Sequence, residues 1–379
     1  MVDQVSTKPW SVGLMTGTVL DGNIDVAFLR TDGRTVDEFG PFALVPYQQD
    51  VMSLLKEALE SAQSWQFAPT EPAIFQRTAA ALTEAQSDAV LSVAREAGID
   101  IRDVDIVGFH GQTVLHRGPS KGAQGRTRQL GDPGAMAQRL GTDIVFDMRA
   151  DDMADGGQGA PLAAVYHASL LDLLNRRSTA AFLNLGGVAN ITWAGSDELL
   201  AFDTGPANAP INDWIRSHTG SEMDRDGLIA ASGTVDDERL ARLLAHPYLV
   251  SRYPKSLDRN DFPSSMAEGL NLATGAATLT AFTAASITMG LDLLPKRPQE
   301  LLVSGGGRHN PTLLREIGTR TGCAITDVDD VGLRGDAIEA EAFAFLAARR
   351  RRELPATFPS TSGATRPVVA GGISSAVTA

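Results

Sequence analysis

Cysteine is nearly missing: Cys323 is the one thiol in 379 residues, which excludes an internal disulfide and any thiolate-rich metal site. It lies in an apolar stretch and reads as a packed thiol, not a nucleophile. Basic charge is in deficit. Lysine and arginine number 33 against 46 aspartates and glutamates, a net charge of −13, and this balance argues against a nucleic acid partner, whose phosphates demand a basic face. A small anion is still admissible, because local N–H groups can overcome a negative background. No apolar run is long enough to span a bilayer, so no membrane partner is expected. The opening residues up to Trp10 lack the basic and apolar regions of a secretory signal, so a cytoplasmic product is expected. Two nucleotide signatures are also missing. No Gly-Lys-Ser/Thr closes a Walker A loop, and the run Gly305-Gly-Gly307-Arg-His-Asn310 has asparagine where a dinucleotide fingerprint needs its last glycine.

What is present is a globular composition, 43% hydrophobic and 21% charged, in a chain too long for one ordinary core. Two α/β domains are expected, over 1–146 and 147–351, with a tail over 352–379 packing back on the first, and a cleft between domains is the default site.

Ser11 to Leu29 is the most informative segment: an apolar strand, a turn over Thr16-Gly-Thr-Val-Leu-Asp-Gly-Asn23, and a returning strand. Gly17 and Gly22 let a ligand approach the backbone, successive turn N–H groups can form an anion nest, and Thr16 and Thr18 add hydroxyls. Asp21 would repel phosphate, so its partner in such a site is Mg²⁺. The same residues equally describe an Asp-Gly turn with no ligand. Thr179 to Trp193 repeats the design, with Asn184, Gly186, Gly187 and Asn190 at its turn, about 170 residues further on, which suggests two related domains.

Between and after the hairpins, a strand is expected over 40–45 and helices over 48–64 and 72–97. His110 follows an apolar strand, 104–109, at the end where open α/β sheets hold ligands. A mobile loop is expected over 118–128. The segment Asp147 to Leu162, with Arg149, Asp155 and Gln158, places polar groups between a buried strand and a helix starting near Pro161. Asp203 lies where a strand gives way to a loop and helix; it suits a base, and equally an N-cap. Gly305 to Gly307 follows a strand and precedes a helix capped by Asn310. The run Arg349 to Arg352 reads as a solvated helix end, and 355–379 as an extended tail or loosely packed strap.

Together, Gly13 to Gly22, Phe109-His-Gly-Gln-Thr113, Gly156-Gly-Gln-Gly-Ala-Pro161, Asn184 to Ile191, Phe202-Asp-Thr-Gly-Pro-Ala-Asn208 and Val303-Ser-Gly-Gly-Gly307 resemble, in order, the anhydro-N-acetylmuramic acid kinases of bacteria. The resemblance implies the sugar kinase, Hsp70 and actin fold group, two related α/β domains closing on ATP, and a homodimer. The implied reaction opens the 1,6-anhydro bond with water while O6 takes the γ-phosphoryl group, giving N-acetylmuramic acid 6-phosphate and ADP. It makes Thr16 through Asn23 (Thr16, Gly17, Thr18, Val19, Leu20, Asp21, Gly22, Asn23) the first phosphate loop, with Asp21 as Mg²⁺ partner. Asn184, Gly186, Gly187 and Asn190 become the second phosphate hairpin, Gly305, Gly306 and Gly307 the adenosine contact, and Asp203 the catalytic base. Glu339 is placed at the sugar, with Arg149, His110 and Gln158 as further substrate contacts.

Thr16, Val19 and Ala207 depart from the family pattern, which has serine at the first two and glycine at the third, although Thr16 keeps the hydroxyl. Val19 stiffens the turn and loses a hydroxyl, and Ala207 would be strained if its φ had to be positive. A kinase of another sugar, or a catalytically silent nucleotide-binding protein of the actin and Hsp70 type, are the competing readings.

Overall fold

The computed structural model describes residues 8–16, 20, 22–119 and 122–376. The chain divides into two compact units, one of 1–173 and 337–379, the other of 174–336.

The first unit starts with β1 (Trp10–Met15), β2 (Asn23–Thr31) and β3 (Val36–Pro46), then α1 (Gln49–Trp65), α2 (Ala73–Glu96), β4 (Val104–Phe109), β5 (Gln112–Arg117), β6 (Arg126–Leu130), α3 (Pro133–Leu140), β7 (Asp143–Phe146), α4 (Met148–Ala154) and α5 (Ala164–Leu173). Every residue of β1 is buried, as a strand flanked on both edges and covered on both faces requires. The apolar spacing expected of the first helix buries Val51, Leu55, Ala58 and Ala62. The segment expected to be a mobile loop instead contributes β6, which pairs antiparallel with β5; residues 120 and 121 lie outside the described residues.

The second unit carries β8 (Ala180–Leu185), β9 (Val188–Ala194), β10 (Leu199–Pro206), α6 (Asn208–Thr219), α7 (Leu228–Ser232), α8 (Asp237–Leu244), α9 (Pro247–Val250), α10 (Leu272–Leu291), β11 (Glu300–Ser304), α11 (Pro311–Thr321) and β12 (Ala324–Asp327). α10 is long and apolar enough to cross a membrane, but 72% of its apolar window is buried inside this unit. It is a core helix, and Trp214 packs so closely on Gly275 that a Cβ there would meet the indole at 2.4 Å. The chain then returns to the first unit as α12 (Ile338–Arg351) and β13 (Gly372–Ser374).

The two main sheets share one plan. In the first unit the order is β13-β7-β4-β1-β2-β3, and in the second β10-β9-β8-β11-β12. In each, three successive antiparallel strands are followed by two parallel to the first of them, β4 beside β1 with β7 outside it, and β11 beside β8 with β12 outside it. The duplication suggested by the two hairpins is therefore carried by whole sheets; only β13, antiparallel to β7, is extra.

The unit boundaries fall at 173/174 and 336/337, so residues 147–173 and 337–351 lie in the first unit although the sequence placed them in the second domain. The physical reason is α12. Gly13 on β1 and Gly108 on β4 lack a Cβ where one would lie 1.8 Å from the Ala340 carbonyl oxygen and 2.1 Å from that of Phe343. The helix lies backbone to backbone across the sheet, burying Ile338, Phe343, Phe345 and Leu346. Its arginines are not a solvated end. Arg349 donates to the carbonyls of Pro355 and Gly33, Arg350 to that of Gly371, and Arg351 pairs with Asp143 and Asp105.

The C-terminal tail is likewise no loose strap. Thr357, Thr361, Ser362 and Ala364 are buried, and buried Asp152 accepts from the hydroxyls of Thr357 and Ser362 and from the Gly159 amide at 2.7 Å. A carboxylate with three donors around it is a strong local anchor.

Candidate functional site

In the first unit, the polar groups gather at the carboxyl ends of β1, β4 and β7. Thr16, just beyond β1, is buried; Gln86 donates to its hydroxyl at 2.9 Å and Tyr47 shares the same glutamine. His110, just beyond β4, is buried, its ring centre 4.9 Å from that of Phe343 in an edge-on contact. β7 ends at Asp147, whose φ of 56° turns the chain into α4, a left-handed conformation that aspartate tolerates better than most residues. That turn delivers Arg149. Its Nε donates to His110 Nε2 at 3.1 Å and its Nη1 to the Gly159 carbonyl at 2.8 Å.

Because a guanidinium only donates, His110 Nε2 holds a lone pair and the neutral ring carries its proton on Nδ1. Burial, and then the Arg149 charge, hold His110 well below its ordinary pKa, so the ring is neutral near pH 7. Burial also lowers the Arg149 pKa, opposed by the charges of Glu339 and Asp152. Glu339 is exposed in the first turn of α12, near enough to act electrostatically on Arg149. Gln158 is tied down through its backbone, its N–H donating to the Ser362 carbonyl at 2.7 Å. His110, Arg149, Glu339 and the Gln158 loop thus belong to one connected group, and the C-terminal strap fastens the loop through Asp152. The anchor Asp152 carried no signal in the sequence beyond being one carboxylate among several.

In the second unit, β8 and β9 meet in a two-residue turn, Gly186-Gly187. The amides of Ala207, Asn208 and Ala209 donate to the carbonyls of these two glycines at 3.0–3.1 Å, and the Asn208 side chain donates to Leu185 and Gly186 at 2.8 and 2.9 Å. The helix's first amides are therefore used to hold the hairpin. Gly305, with φ of 78°, follows β11, and a Cβ there would meet Asn184 Oδ1 at 2.4 Å. One on Gly307 would meet Leu185 Cβ at 2.6 Å and the Asn208 side chain at 3.1 Å, whereas Gly306 is exposed with nothing within 4 Å. Glycine is needed at both ends of the triplet for close packing, and the middle one faces open space. Asn208 joins hairpin and triplet; its place in the Asp203 to Asn208 motif was its only sequence signal.

Register places four polar residues in one row. Asp203 pairs with Asn190, Asn190 with Asn184, and Asn184 with Ser304, and directly opposed residues on neighbouring strands share a sheet face. Asp203 is inside β10, at a register shift before Gly205. It is not an N-cap: α6 is capped by Ala207, whose φ of −128° is far from the left-handed region, so the strain anticipated for alanine there does not arise. The Leu257 amide donates to Asp203 Oδ2 at 2.8 Å. Burial nevertheless pushes its pKa up to about 7, against that hydrogen bond and the charge of Lys255. A carboxyl poised there can accept a proton at neutral pH.

Of the first phosphate loop, Gly17, Thr18, Val19 and Asp21 lie outside the described residues. Leu20 packs against the first unit's core, Gly22 has φ of 95° and accepts from the Tyr47 amide at 2.9 Å, and Asn23 opens β2 opposite Pro46. Among the described residues no group of three or more histidine, cysteine or carboxylate side chains is arranged to hold a metal.

Two α/β units that share one strand order fit the architecture expected from the resemblance, that of the sugar kinase, Hsp70 and actin group. The sequence relatives narrow this. A sequence model described as anhydro-N-acetylmuramic acid kinase matches residues 9–376. The chain is 55% identical over 363 residues to the anhydro-N-acetylmuramic acid kinase of Mesorhizobium japonicum, covering 96% of this chain and 98% of that one. It is 56% identical, with the same coverage, to that of Brucella anthropi. The chain belongs to the anhydro-N-acetylmuramic acid kinase family, and is an enzyme of the kinase class. Among solved structures it resembles a ROK family glucokinase from Streptomyces griseus, at 14% identity and a TM-score of 0.40 over 90% of this chain and 99% of that one.

Proposed function

We propose that the chain is an ATP-dependent kinase that hydrolytically opens 1,6-anhydro-N-acetylmuramic acid and phosphorylates O6, yielding N-acetylmuramic acid 6-phosphate and ADP for cell-wall recycling. Membership of the family supports the reaction, and the observation that carries it is Asp203: a carboxyl at a polar row of the sheet, with its pKa raised to about 7.

In this reading water attacks C1 and gives its proton to Asp203; the C1–O6 bond breaks, and O6 attacks the γ-phosphorus as the bond to the β-phosphate oxygen breaks. Positive charge grows at C1 as in glycoside hydrolysis, so the adjacent carboxylate also stabilises the transition state. Arg149, His110, Gln158 and Glu339 orient the sugar. Arg149 is the one cation among them and suits the substrate's lactyl carboxylate. The glycine turn with Asn184 and Asn190 receives the phosphates through its own amides, since those of α6 are engaged. Gly305, Gly306 and Gly307 form a shelf without side chains for the adenosine. Mg²⁺, which binds mainly through substrate phosphates and needs few protein ligands, would be held by Asp21, within the proposed phosphate segment Thr16 to Asn23, and would neutralise phosphate charge. A cytoplasmic setting accords with an enzyme that draws on ATP, and the family resemblance is what suggests a homodimer.

Purified protein with ATP, Mg²⁺ and the anhydro sugar is expected to produce ADP and a ring-opened 6-phosphate. Absence of turnover with that sugar, alongside turnover with another sugar or sugar-independent ATP hydrolysis, overturns the assignment.

A further inference from the structure

The segment from α9 to residue 257 is fastened to Asp203 at three points. The Asp203 amide donates to the Lys255 carbonyl at 3.0 Å, the Tyr248 hydroxyl donates to the Asp203 carbonyl at 2.8 Å, and the Leu257 amide donates to the carboxylate. Lys255 itself is only 7% exposed. Its ammonium donates to the carbonyls of Tyr248 and Leu249 at 3.0 and 3.2 Å and lies 4.6 Å from the Tyr248 ring centre and 5.7 Å from that of Phe202. Those two carbonyls sit at the C-terminal end of α9.

Two carbonyls and two ring faces offset only part of the cost of taking an ammonium out of water, a cost that an apolar residue of the same length would not carry. Geometry ties this lysine to Asp203: its own carbonyl accepts from the Asp203 amide, and its ammonium holds the carbonyl of Tyr248, whose hydroxyl in turn donates to the Asp203 carbonyl.

We propose that Lys255 is a positioning residue for Asp203: its side chain clamps the 248–257 strap onto β10, and its buried charge keeps the Asp203 carboxylate available to take the proton from water. The inference rests on the reading of Asp203 as the base. The direction of each shift agrees with it. The Lys255 charge opposes the burial that raises Asp203, and the Asp203 charge opposes the burial that lowers Lys255 to about 8. The other titratable group facing Asp203 is Tyr248, itself pushed up by burial and by the charges of Asp203 and Asp261, so it stays a neutral donor.

Lys255→Gln keeps a donor for the carbonyls and removes the charge; Lys255→Arg keeps the charge. In protein labelled with carbon-13 at aspartate carboxyls, the Asp203 resonance, assigned by its loss in Asp203→Asn, is expected to titrate about one pH unit or more higher in Lys255→Gln, and near wild type in Lys255→Arg. In the kinase assay the acidic limb of kcat is expected to move up by the same amount, with kcat at pH 7 down about fivefold or more and the KM for ATP within about twofold. Tyr248→Phe leaves the charge and removes one strap bond, so it is expected to lower kcat without moving the titration. An unmoved Asp203 titration in Lys255→Gln overturns the electrostatic role, and an unchanged kcat in Tyr248→Phe overturns the clamp. The titration needs no turnover, so a wild type inactive on the anhydro sugar overturns the assigned reaction while leaving the Lys255 result to be read by itself.

Discussion

The two sheets run in the same strand order, yet each holds its polar residues differently. In the second unit the row Asp203, Asn190, Asn184 and Ser304 is made by the strands themselves, and the glycine turn is pinned by residues that follow β10 directly, Ala207 to Ala209. In the first unit His110 and Arg149 come from separate strand ends, and the loop that fixes Arg149 is tied to the chain's last segment through Asp152, about 200 residues away. One unit builds its site from local register and the other from long-range fastening. A duplicated topology thus specifies where strand ends lie, and not what keeps side chains in place there.

The comparison can be broken at each of its parts. Asp203→Asn is expected to lower kcat by about 10²–10⁴-fold while leaving nucleotide affinity unchanged, as steady-state kinetics and calorimetric titration with ATP will show. Loss of affinity in step with kcat would make the row a nucleotide contact and nothing more. Asp152→Ala leaves the hydroxyls of Thr357 and Ser362 and the Gly159 amide without their acceptor. It is expected to cost about 3 kcal/mol in urea unfolding and to raise the KM for sugar more than that for ATP. Hydrogen exchange should rise over 156–162 and 355–365 and stay unchanged over 184–208; uniform loss of protection would remove the distinction between the units.

A smaller effect separates the glycines of the triplet. Gly307→Ala drives a methyl into Leu185 and should weaken ATP binding about tenfold through a displaced hairpin. Gly306→Ala meets nothing, so its melting temperature should match wild type. Any loss of ATP affinity in it reports the ligand's own approach, and none would move the adenosine off this shelf.

A separate effect is on stability against pH. Asp203 has its folded pKa raised above the ordinary 3.8 to about 7, so the fold binds its proton more tightly than the unfolded chain does. The associated stability is full below the ordinary value and is lost as pH rises through about 7. Asp203→Asn, which cannot ionise, is expected to melt above wild type at pH 8, with the gap narrowing towards pH 5, a trade of stability for function. A constant gap across that range would show that the carboxyl is not shifted.

The strand ends and the Gly186-Gly187 turn were legible because glycine, asparagine and aspartate after apolar runs have a local cause, and Asn310 does cap α11 through the Leu313 amide at 3.0 Å. The fastening was not. Arg349 to Arg351 look like a helix end seeking water, and only the position of Gly33, Pro355, Gly371, Asp105 and Asp143 turns them into anchors. Asp203 was legible as a candidate base, whereas Lys255, more than 50 residues later, carried no pattern linking it to the strand it serves. The membership of α12 in the first unit was hidden for the same reason: Gly13 and Gly108 look like flexible points until Ala340 and Phe343 rest on them.

The reaction itself is tested most directly by turnover in ¹⁸O water, with products analysed by mass spectrometry before the anomeric oxygen exchanges. The expected product carries one heavy oxygen at C1 and none in the phosphate or at O6, because water opens the ring and O6 takes the phosphoryl group. Heavy oxygen in the phosphate, or a sugar still bridged between C1 and O6, would contradict the account.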